Sequence, residues 1–181
     1  IIADLGIMGN SWFLPSKETG KSGSVQFIPV STYSGGELEG NTFVSGIGGT
    51  GVLFPPSGQT LMADLKINAG LTIPDSIDEV LLLIKEVGED LLEIAESAKT
   101  QISGEGISIV LDNYLLIDGC RVIAAESPAC CTMNPCTICS LFGMIISEGL
   151  NREVMIEQCR PDKKRARVEI LFTISQNSKE Q

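Results

Sequence analysis

The chain has 181 residues, a net charge of −10 and no histidine. Its length and its 43% of hydrophobic residues suit one domain with a sizeable core. The absence of histidine excludes a Ser–His–Asp or Cys–His catalytic site built within the chain. The acidic charge predicts that the protein does not bind nucleic acid, because phosphate binding draws on basic side chains and released counterions.

The sequence also argues against a membrane or secreted protein. No segment reaches the roughly twenty apolar residues that span a bilayer. The first residues show neither the basic start nor the apolar run of a signal peptide. Six cysteines are too few for a disulfide-rich secreted scaffold. We therefore expect a cytoplasmic protein without a transmembrane segment.

Residues 1–56 form a glycine-rich region. Short apolar patches separated by glycine and proline predict short strands and loops there. These patches are residues 12–14, 25–28, 43–44 and 51–54. Residues 46–51 match the G-x-G-x-x-G pattern, but Pro55 and Pro56 follow almost at once and forbid the helix that a dinucleotide site needs. We interpret this segment as a glycine-rich loop.

The middle of the chain predicts helices and then strands. A brief helix is expected over residues 57–66 and a long one over 76–103, where Ser76 and Glu79 fit a capping box. Apolar residues recur at steps of three and four along the long helix, and its acidic residues lie largely off that stripe. Three short antiparallel strands are predicted next. They cover residues 107–111, 114–117 and 120–124.

The last third predicts a buried helix and a hairpin. Pro135 opens a helix that runs to about Glu148 and is apolar on nearly every side, which is typical of a helix inside a protein or at a subunit interface. Strands over residues 153–159 and 165–174 follow, and we expect a disordered tail at 175–181. The predicted fold is a mixed α/β (α+β) domain over 57–174 with an antiparallel sheet.

Four cysteines in this third form the main candidate site. The spacing of Cys131, Cys136 and Cys139 suits zinc or an iron–sulfur cluster, and Cys159 supplies a fourth sulfur if the hairpin packs over the helix start. Amides at a helix start also favour thiolate over thiol. The same cysteines could instead form a redox-active pair or disulfide, or simply pack as small buried residues. The spacing alone leaves these three interpretations open.

Several segments of this region carry a likeness to a known family. They are residues 118–122, 127–130, 135–143 and 157–159, followed by a closing strand around residue 169. The order of these segments resembles the 4-vinyl reductase domain family, which belongs with the small core subunits of the TRAPP vesicle-tethering complexes. The resemblance covers about residues 57–174.

The resemblance implies an α/β domain that often dimerises and encloses an apolar pocket for a small hydrophobic molecule or acyl chain. Some members carry zinc near that pocket, and Cys139 (or Cys136) with Cys159 look like their zinc cysteines. The apolar helix would line the pocket, because a glycine leaves room beside its backbone. The expected lining residues are Leu141, Phe142, Gly143, Ile145 and Ile146.

Three functions follow as expectations. The first is binding of a small hydrophobic ligand, with a cysteine-ligated metal beside it. The second is an iron–sulfur or zinc protein that acts in electron transfer or cofactor assembly. The third is a non-catalytic scaffold subunit of a protein complex. A homodimer is expected, and the lack of a catalytic motif favours a binding protein over an enzyme.

Overall fold

The computed structural model of the protein describes residues 9–16, 23–30, 33, 39–40, 42–46 and 49–176. One antiparallel sheet of nine strands runs through this part of the chain. In chain order the strands are β1 (Trp12–Leu14), β2 (Val25–Pro29), β3 (Glu39–Gly40), β4 (Phe43–Gly46), β5 (Gly49–Phe54), β6 (Ser97–Ser103), β7 (Gly106–Asp112), β8 (Val154–Pro161) and β9 (Arg167–Ile174). Across the sheet they follow the order β3-β4-β5-β2-β1-β8-β9-β7-β6.

Helices pack against this sheet, so the described part has the mixed α/β architecture that the sequence predicts. They are α1 (Gln59–Asn68), α2 (Ile77–Glu86), α3 (Ile117–Glu126), the short α4 (Cys130–Met133) and α5 (Thr137–Leu150). Helix α5 lies against β1 and β8, α1 and α2 pack on α5, and α3 and α4 contact β8. Among the described residues, no helix combines the length and apolar character that a membrane span requires.

The glycine-rich N-terminal region contributes strands to the same sheet as the C-terminal hairpin. All four predicted patches are strands, and β1 joins the two regions because Trp12 pairs with Met155 on β8. Successive side chains of β1 point to opposite faces. Phe13 therefore belongs to the main core, whereas Trp12 and Leu14 belong to a second apolar cluster with Phe27. The expected glycine-rich loop is part of the β4–β5 hairpin, although residues 47 and 48 lie outside the described ones.

The predicted long helix over 76–103 is wrong in its second half. The helix begins as predicted, with the Ser76 hydroxyl accepting a hydrogen bond from the Glu79 amide, but α2 ends at Glu86. A π-helical turn over Val87–Leu91 follows, and both Ile94 and Ala95 donate their amides to the Gly88 carbonyl. Residues 97–103 then form β6, because they pair along their whole length with β7.

Two of the three predicted short strands are also wrong. The first corresponds to β7, but residues 114–124 lead into and form most of α3 rather than a pair of strands. Ile117 and Cys120 are the buried residues of α3, and they lie three apart on one helical face. The Asp118–Gly119 pair that suggested a turn lies inside the first turn of this helix.

The buried helix and the final hairpin are confirmed with shifted ends. Helix α5 begins at Thr137 with Cys136 as its N-cap, and Asn151 ends it in the left-handed conformation with φ of 49°. Strands β8 and β9 pair antiparallel, and the side chains of Val168, Ile170 and Phe172 on β9 are buried at alternate positions. Of the predicted tail, Ser175 is buried and residues 177–181 lie outside the described part.

Candidate functional site: a cysteine cluster

Five cysteines from four elements meet at the start of α5. Their sources are α3 (Cys120), α4 (Cys131), the start of α5 (Cys136 and Cys139) and β8 (Cys159). The Sγ atoms of Cys139 and Cys159 are 3.9 Å apart. Side-chain contacts also link Cys131 to Cys159 and Cys136 to Cys139. The structure therefore brings the four predicted cysteines into one neighbourhood and adds Cys120, and all five are free thiols.

Tight packing against α1 fixes the position of the helix start. The Ser57 hydroxyl donates a 2.8 Å hydrogen bond to the Pro135 carbonyl, and the Gly58 amide donates to the Ser140 hydroxyl at 3.1 Å. A Cβ on Gly58 would lie 2.6 Å from the Leu141 nitrogen, so a larger residue does not fit there. The first turn of α5, with its two cysteines, is held at this contact.

The register of β8 directs Cys159 toward the helices. Cys159 pairs with Ile170, which is buried in the main core. A β-bulge lies between Ile156 and Gln158. The intervening Glu157 accepts a 2.7 Å hydrogen bond from the Thr173 hydroxyl on β9. The Glu157 carboxylate is therefore bound to β9, and the thiol of Cys159 faces the cluster.

The helix start stabilises one thiolate. A hydrogen bond from the Cys139 side chain, followed by the backbone amides of Cys139 and Ile138, lowers the pKa of Cys136 to about 6 although burial opposes this. The pKa of Cys139 is raised by the same contact with Cys136, by its contact with Cys159 and by burial. Cys139 therefore keeps its proton, and its single S–H can point to either Cys136 or Cys159, whose pKa values are lowered.

A second thiolate is favoured at Cys159. Hydrogen bonds from the side chains of Cys131 and Cys139 lower the pKa of Cys159 to about 4, against the opposing effect of burial. The pKa of Cys131 is raised, first by its hydrogen bond to Cys159 and then by burial. Each pair thus contains one sulfur that accepts a hydrogen bond and one that donates it.

Two further members of the site were missed by sequence reasoning. Burial, and then the charges of Cys159 and Cys136, raise the pKa of Cys120 to about 12. Tyr114 is 3% exposed beside the cluster, and burial followed by the neighbouring thiols raises the pKa of its phenol. No spacing in the sequence indicates either residue. Both belong to residues 114–124, for which the sequence predicts strands.

The spacing of the sulfurs can be compared with that of a zinc site, and the metal stays a prediction. Bonds of about 2.3 Å to a tetrahedral zinc ion place two thiolates about 3.8 Å apart, which agrees with the 3.9 Å between Cys139 and Cys159. Within the described part of the chain, which includes all six cysteines, no group of three or more cysteine, aspartate or glutamate residues is arranged to hold one ion. The sulfurs are gathered in pairs, so a four-sulfur site requires side chains to turn.

The predicted lining of an apolar pocket is buried in the core. Four of its residues are fully buried, with 0% of their surface exposed. They are Leu141, Phe142, Ile145 and Ile146. A Cβ on Gly143 would lie 2.3 Å from the ring of Phe13, so this ring occupies the space beside the glycine. A ligand at this position would have to displace Phe13, and the pocket stays a prediction.

A groove opens on the other side of the cysteine cluster. It has a volume of about 890 Å³ and lies between α3, α4 and the end of β8. The lining residues are Arg121, Ala124, Ala125, Pro128, Ala129, Thr132, Glu157, Gln158, Cys159, Arg160, Pro161 and Lys163. Cys159 belongs both to this lining and to the cluster, so the groove connects one of the five thiols to solvent.

The chain was compared with protein-family models, curated proteins and solved structures, and none of the three comparisons gives a match.

Proposed function

We propose that the protein performs thiol–disulfide exchange, with Cys159 as the attacking thiol and Cys139 as the resolving thiol. The observation that carries this proposal is the 3.9 Å between their sulfurs, combined with the opening of Cys159 onto the groove. Cys139 is 3% exposed and does not line the groove. Seen from the groove, it lies behind Cys159. A substrate would therefore meet Cys159 first.

The reaction consists of two exchanges. The Cys159 thiolate attacks one sulfur of a substrate disulfide, the substrate S–S bond breaks, and the first substrate thiolate leaves and takes up a proton. Cys139 then loses its proton, attacks the Cys159 sulfur and releases the second substrate thiol. The two cysteines lose two electrons to the substrate, which is reduced to two thiols. Because Cys159 reacts as a thiolate, one of the two protons comes from Cys139 and the other from water. The product is a Cys139–Cys159 disulfide.

The starting geometry requires only local movement. A disulfide needs an S–S distance of about 2.0 Å, so the two sulfurs must approach by roughly 2 Å from their separation of 3.9 Å. Cys159 lies on the strand beside the groove and Cys139 in the first turn of α5. Rotation of the side chains about their χ1 bonds can supply a movement of this size.

Mapping of disulfides by mass spectrometry tests the proposal. After the reduced protein is incubated with oxidised glutathione, we expect a Cys139–Cys159 disulfide. The Cys139→Ser variant should stop at a mixed disulfide between Cys159 and glutathione, whereas Cys159→Ser should form neither product. Cys130→Ser is the matched control and should behave as the unaltered chain. A lasting mixed disulfide on another cysteine, or no disulfide at all, would overturn the proposal.

The second candidate is a zinc site made by Cys131, Cys136, Cys139 and Cys159. The separation of 3.9 Å between two of these sulfurs favours it, because it equals the edge of a zinc–thiolate tetrahedron within about 0.1 Å. Elemental analysis of protein purified without oxygen separates the candidates. One zinc ion per chain that is lost in Cys131→Ser and in Cys159→Ser supports the metal site. Visible absorbance with bound iron would instead support an iron–sulfur cluster.

A further inference from the structure

The groove beside Cys159 has the size of a small-molecule site. Its volume of about 890 Å³ falls within the range of about 300–1,000 Å³ that is usual for such sites. One wall consists of small side chains, which leave the space open. These are Ala124, Ala125, Pro128 and Ala129. The groove therefore has room beside Cys159 for a disulfide with short side arms.

The cations that line the groove include Arg121 on α3 and Lys163 on the turn between β8 and β9. The Arg121 guanidinium donates hydrogen bonds to the carbonyls of Asp162 and Arg165, so it is fixed at the turn between β8 and β9. The exposed Asp118 carboxylate lies 3.0 Å from it and faces water. Lys163, on the same turn, is exposed and lines the groove. Arg121 is thus paired, and Lys163 is the cation that faces the mouth.

The acidic residue of the lining is turned away from the groove. Glu157 is held by the Thr173 hydroxyl on β9, and it also lines a second hollow that is formed by β6, β7 and β9. Arg160 pairs with Glu169, and strand alternation places both on the face opposite Cys159. Lys163 therefore contributes most to the positive potential of the groove, because Arg121 is paired with Asp118 and Arg160 lies on the opposite face.

This local charge is opposite to that of the whole chain. The chain carries a net charge of −10, yet residues 160–167, which include the turn between β8 and β9, contain five cations and one acid; of the cations, Arg167 is paired with Asp112 on β7. The five cations are Arg160, Lys163, Lys164, Arg165 and Arg167. Charges act over about 8 Å at physiological salt, so an anion in the groove responds to this turn more than to distant acidic residues.

We infer that the groove selects small disulfides that carry negatively charged groups as the substrates of the Cys159 thiol. This inference rests on the proposed exchange function and adds the substrate class. A carboxylate on the substrate lies at the rim beside Lys163 while the disulfide reaches Cys159. The same rim repels a positively charged disulfide.

Three probe disulfides that differ mainly in their end groups test the charge selection. They are dithiodiacetate with carboxylates, hydroxyethyl disulfide with hydroxyls and cystamine with ammonium groups. The rate of Cys139–Cys159 disulfide formation is measured with each probe. It is then divided by the rate at which the same probe reacts with a free small thiol. We expect dithiodiacetate to react about tenfold faster than hydroxyethyl disulfide on this scale, and cystamine to be slowest.

Two charge-reversal variants distinguish the effect of the rim charge on these rates from the effect of the net charge. Lys163→Glu should slow dithiodiacetate and speed up cystamine, each measured relative to hydroxyethyl disulfide. Lys85→Glu changes the net charge equally but lies on α2, so it should leave all three rates unchanged. Raising the salt concentration should reduce the preference of the unaltered chain.

The possible failures are distinguishable. Equal normalised rates for the three probes would overturn the charge selection while leaving thiol–disulfide exchange intact. Loss of reaction with the neutral probe in Lys163→Glu would also overturn it, because the lysine would then act on the thiols or the fold. Absence of the Cys139–Cys159 disulfide with every probe would overturn the proposed function itself.

Discussion

The Sγ atoms of Cys139 and Cys159 lie 3.9 Å apart, although 20 positions of the chain separate the two residues. One sulfur belongs to the first turn of a buried helix and the other to a strand at the edge of a groove. This arrangement gives the two thiols different access to solvent while keeping them close enough to react with each other. Because of this difference in access, we expect Cys159 to react with a reagent in solution before Cys139 does.

Native-state alkylation should label Cys159 before the thiols behind it. Cys159 is half-buried and opens onto the groove, whereas Cys139 and Cys131 are 3% and 7% exposed. The measurement is peptide mass spectrometry after short treatment of the folded, metal-free protein with iodoacetamide. Protein unfolded in urea is the control and should label its cysteines at similar rates. Labelling of Cys139 in the folded protein as fast as Cys159 would contradict the structure.

Replacing Gly143 with alanine should destabilise the protein. The new Cβ would lie 2.3 Å from the ring of Phe13 on β1, which is itself fully buried against α5. Overpacking of this kind costs about 1–3 kcal/mol, measured as the change in the free energy of unfolding in urea. Phe13→Leu in the Gly143→Ala background should recover part of the loss.

Gly119→Ala is the matched control for that substitution. A Cβ at Gly119 meets no atom within 4 Å, and the residue lies inside α3. Alanine should therefore stabilise the protein by about 0.5–1 kcal/mol, because glycine loses more backbone freedom in a helix. If Gly143→Ala were as harmless as Gly119→Ala, the packing of Phe13 against α5 would be incorrect.

The elements that could be predicted from the sequence are those whose buried residues follow a clear period. Helix α5 is apolar on nearly every side, and β9 alternates, so both were found within a few residues. Strand β6 gave no such signal, since Ala98 is its one buried residue and most of the others are exposed. What makes residues 97–103 a strand is their pairing with β7, a segment later in the chain. The sequence pattern of residues 97–103 does not show this pairing, so a weak helical spacing predicted a helix instead.

The same reasoning explains which parts of the site were found. Four cysteines lie within 30 positions, so their proximity could be inferred from one helix and one hairpin. Cys120 joins them from α3 and Tyr114 from the segment just before it, and the exposed Leu115 and Val122 in this stretch look like strand residues in the sequence. The groove could not be predicted, because it exists only where α3, α4 and β8 meet.

Ser76→Ala should weaken the start of α2. The Ser76 hydroxyl accepts the Glu79 amide and donates to the Glu79 carboxylate at 2.8 Å, so alanine leaves an amide of the first turn without its cap. The expected loss is about 1 kcal/mol in the free energy of unfolding, measured by urea denaturation. Ser103→Ala, at the exposed end of β6, serves as the comparison and should change stability by less than about 0.5 kcal/mol.

The stability of the sheet should depend on pH through Asp112. Its carboxylate on β7 accepts hydrogen bonds from Arg167 on β9 and Lys99 on β6, and these contacts lower its pKa to about 2 from the ordinary 3.8. Because the pKa is lower in the folded protein, the contacts stabilise it fully above pH 3.8. The contribution is lost as the pH falls from 3.8 towards 2.

Thermal unfolding of Asp112→Asn beside the unaltered chain measures this contribution. The unaltered chain should melt at the higher temperature at pH 7, and the gap should close as the pH approaches 2, where Asp112 gains its proton. Raising the salt to about 1 M at pH 7 should narrow the gap as well, because the ion pairs lie at the surface. A gap that stays constant down to pH 2 would mean that asparagine acts through packing and that the charge of Asp112 contributes nothing.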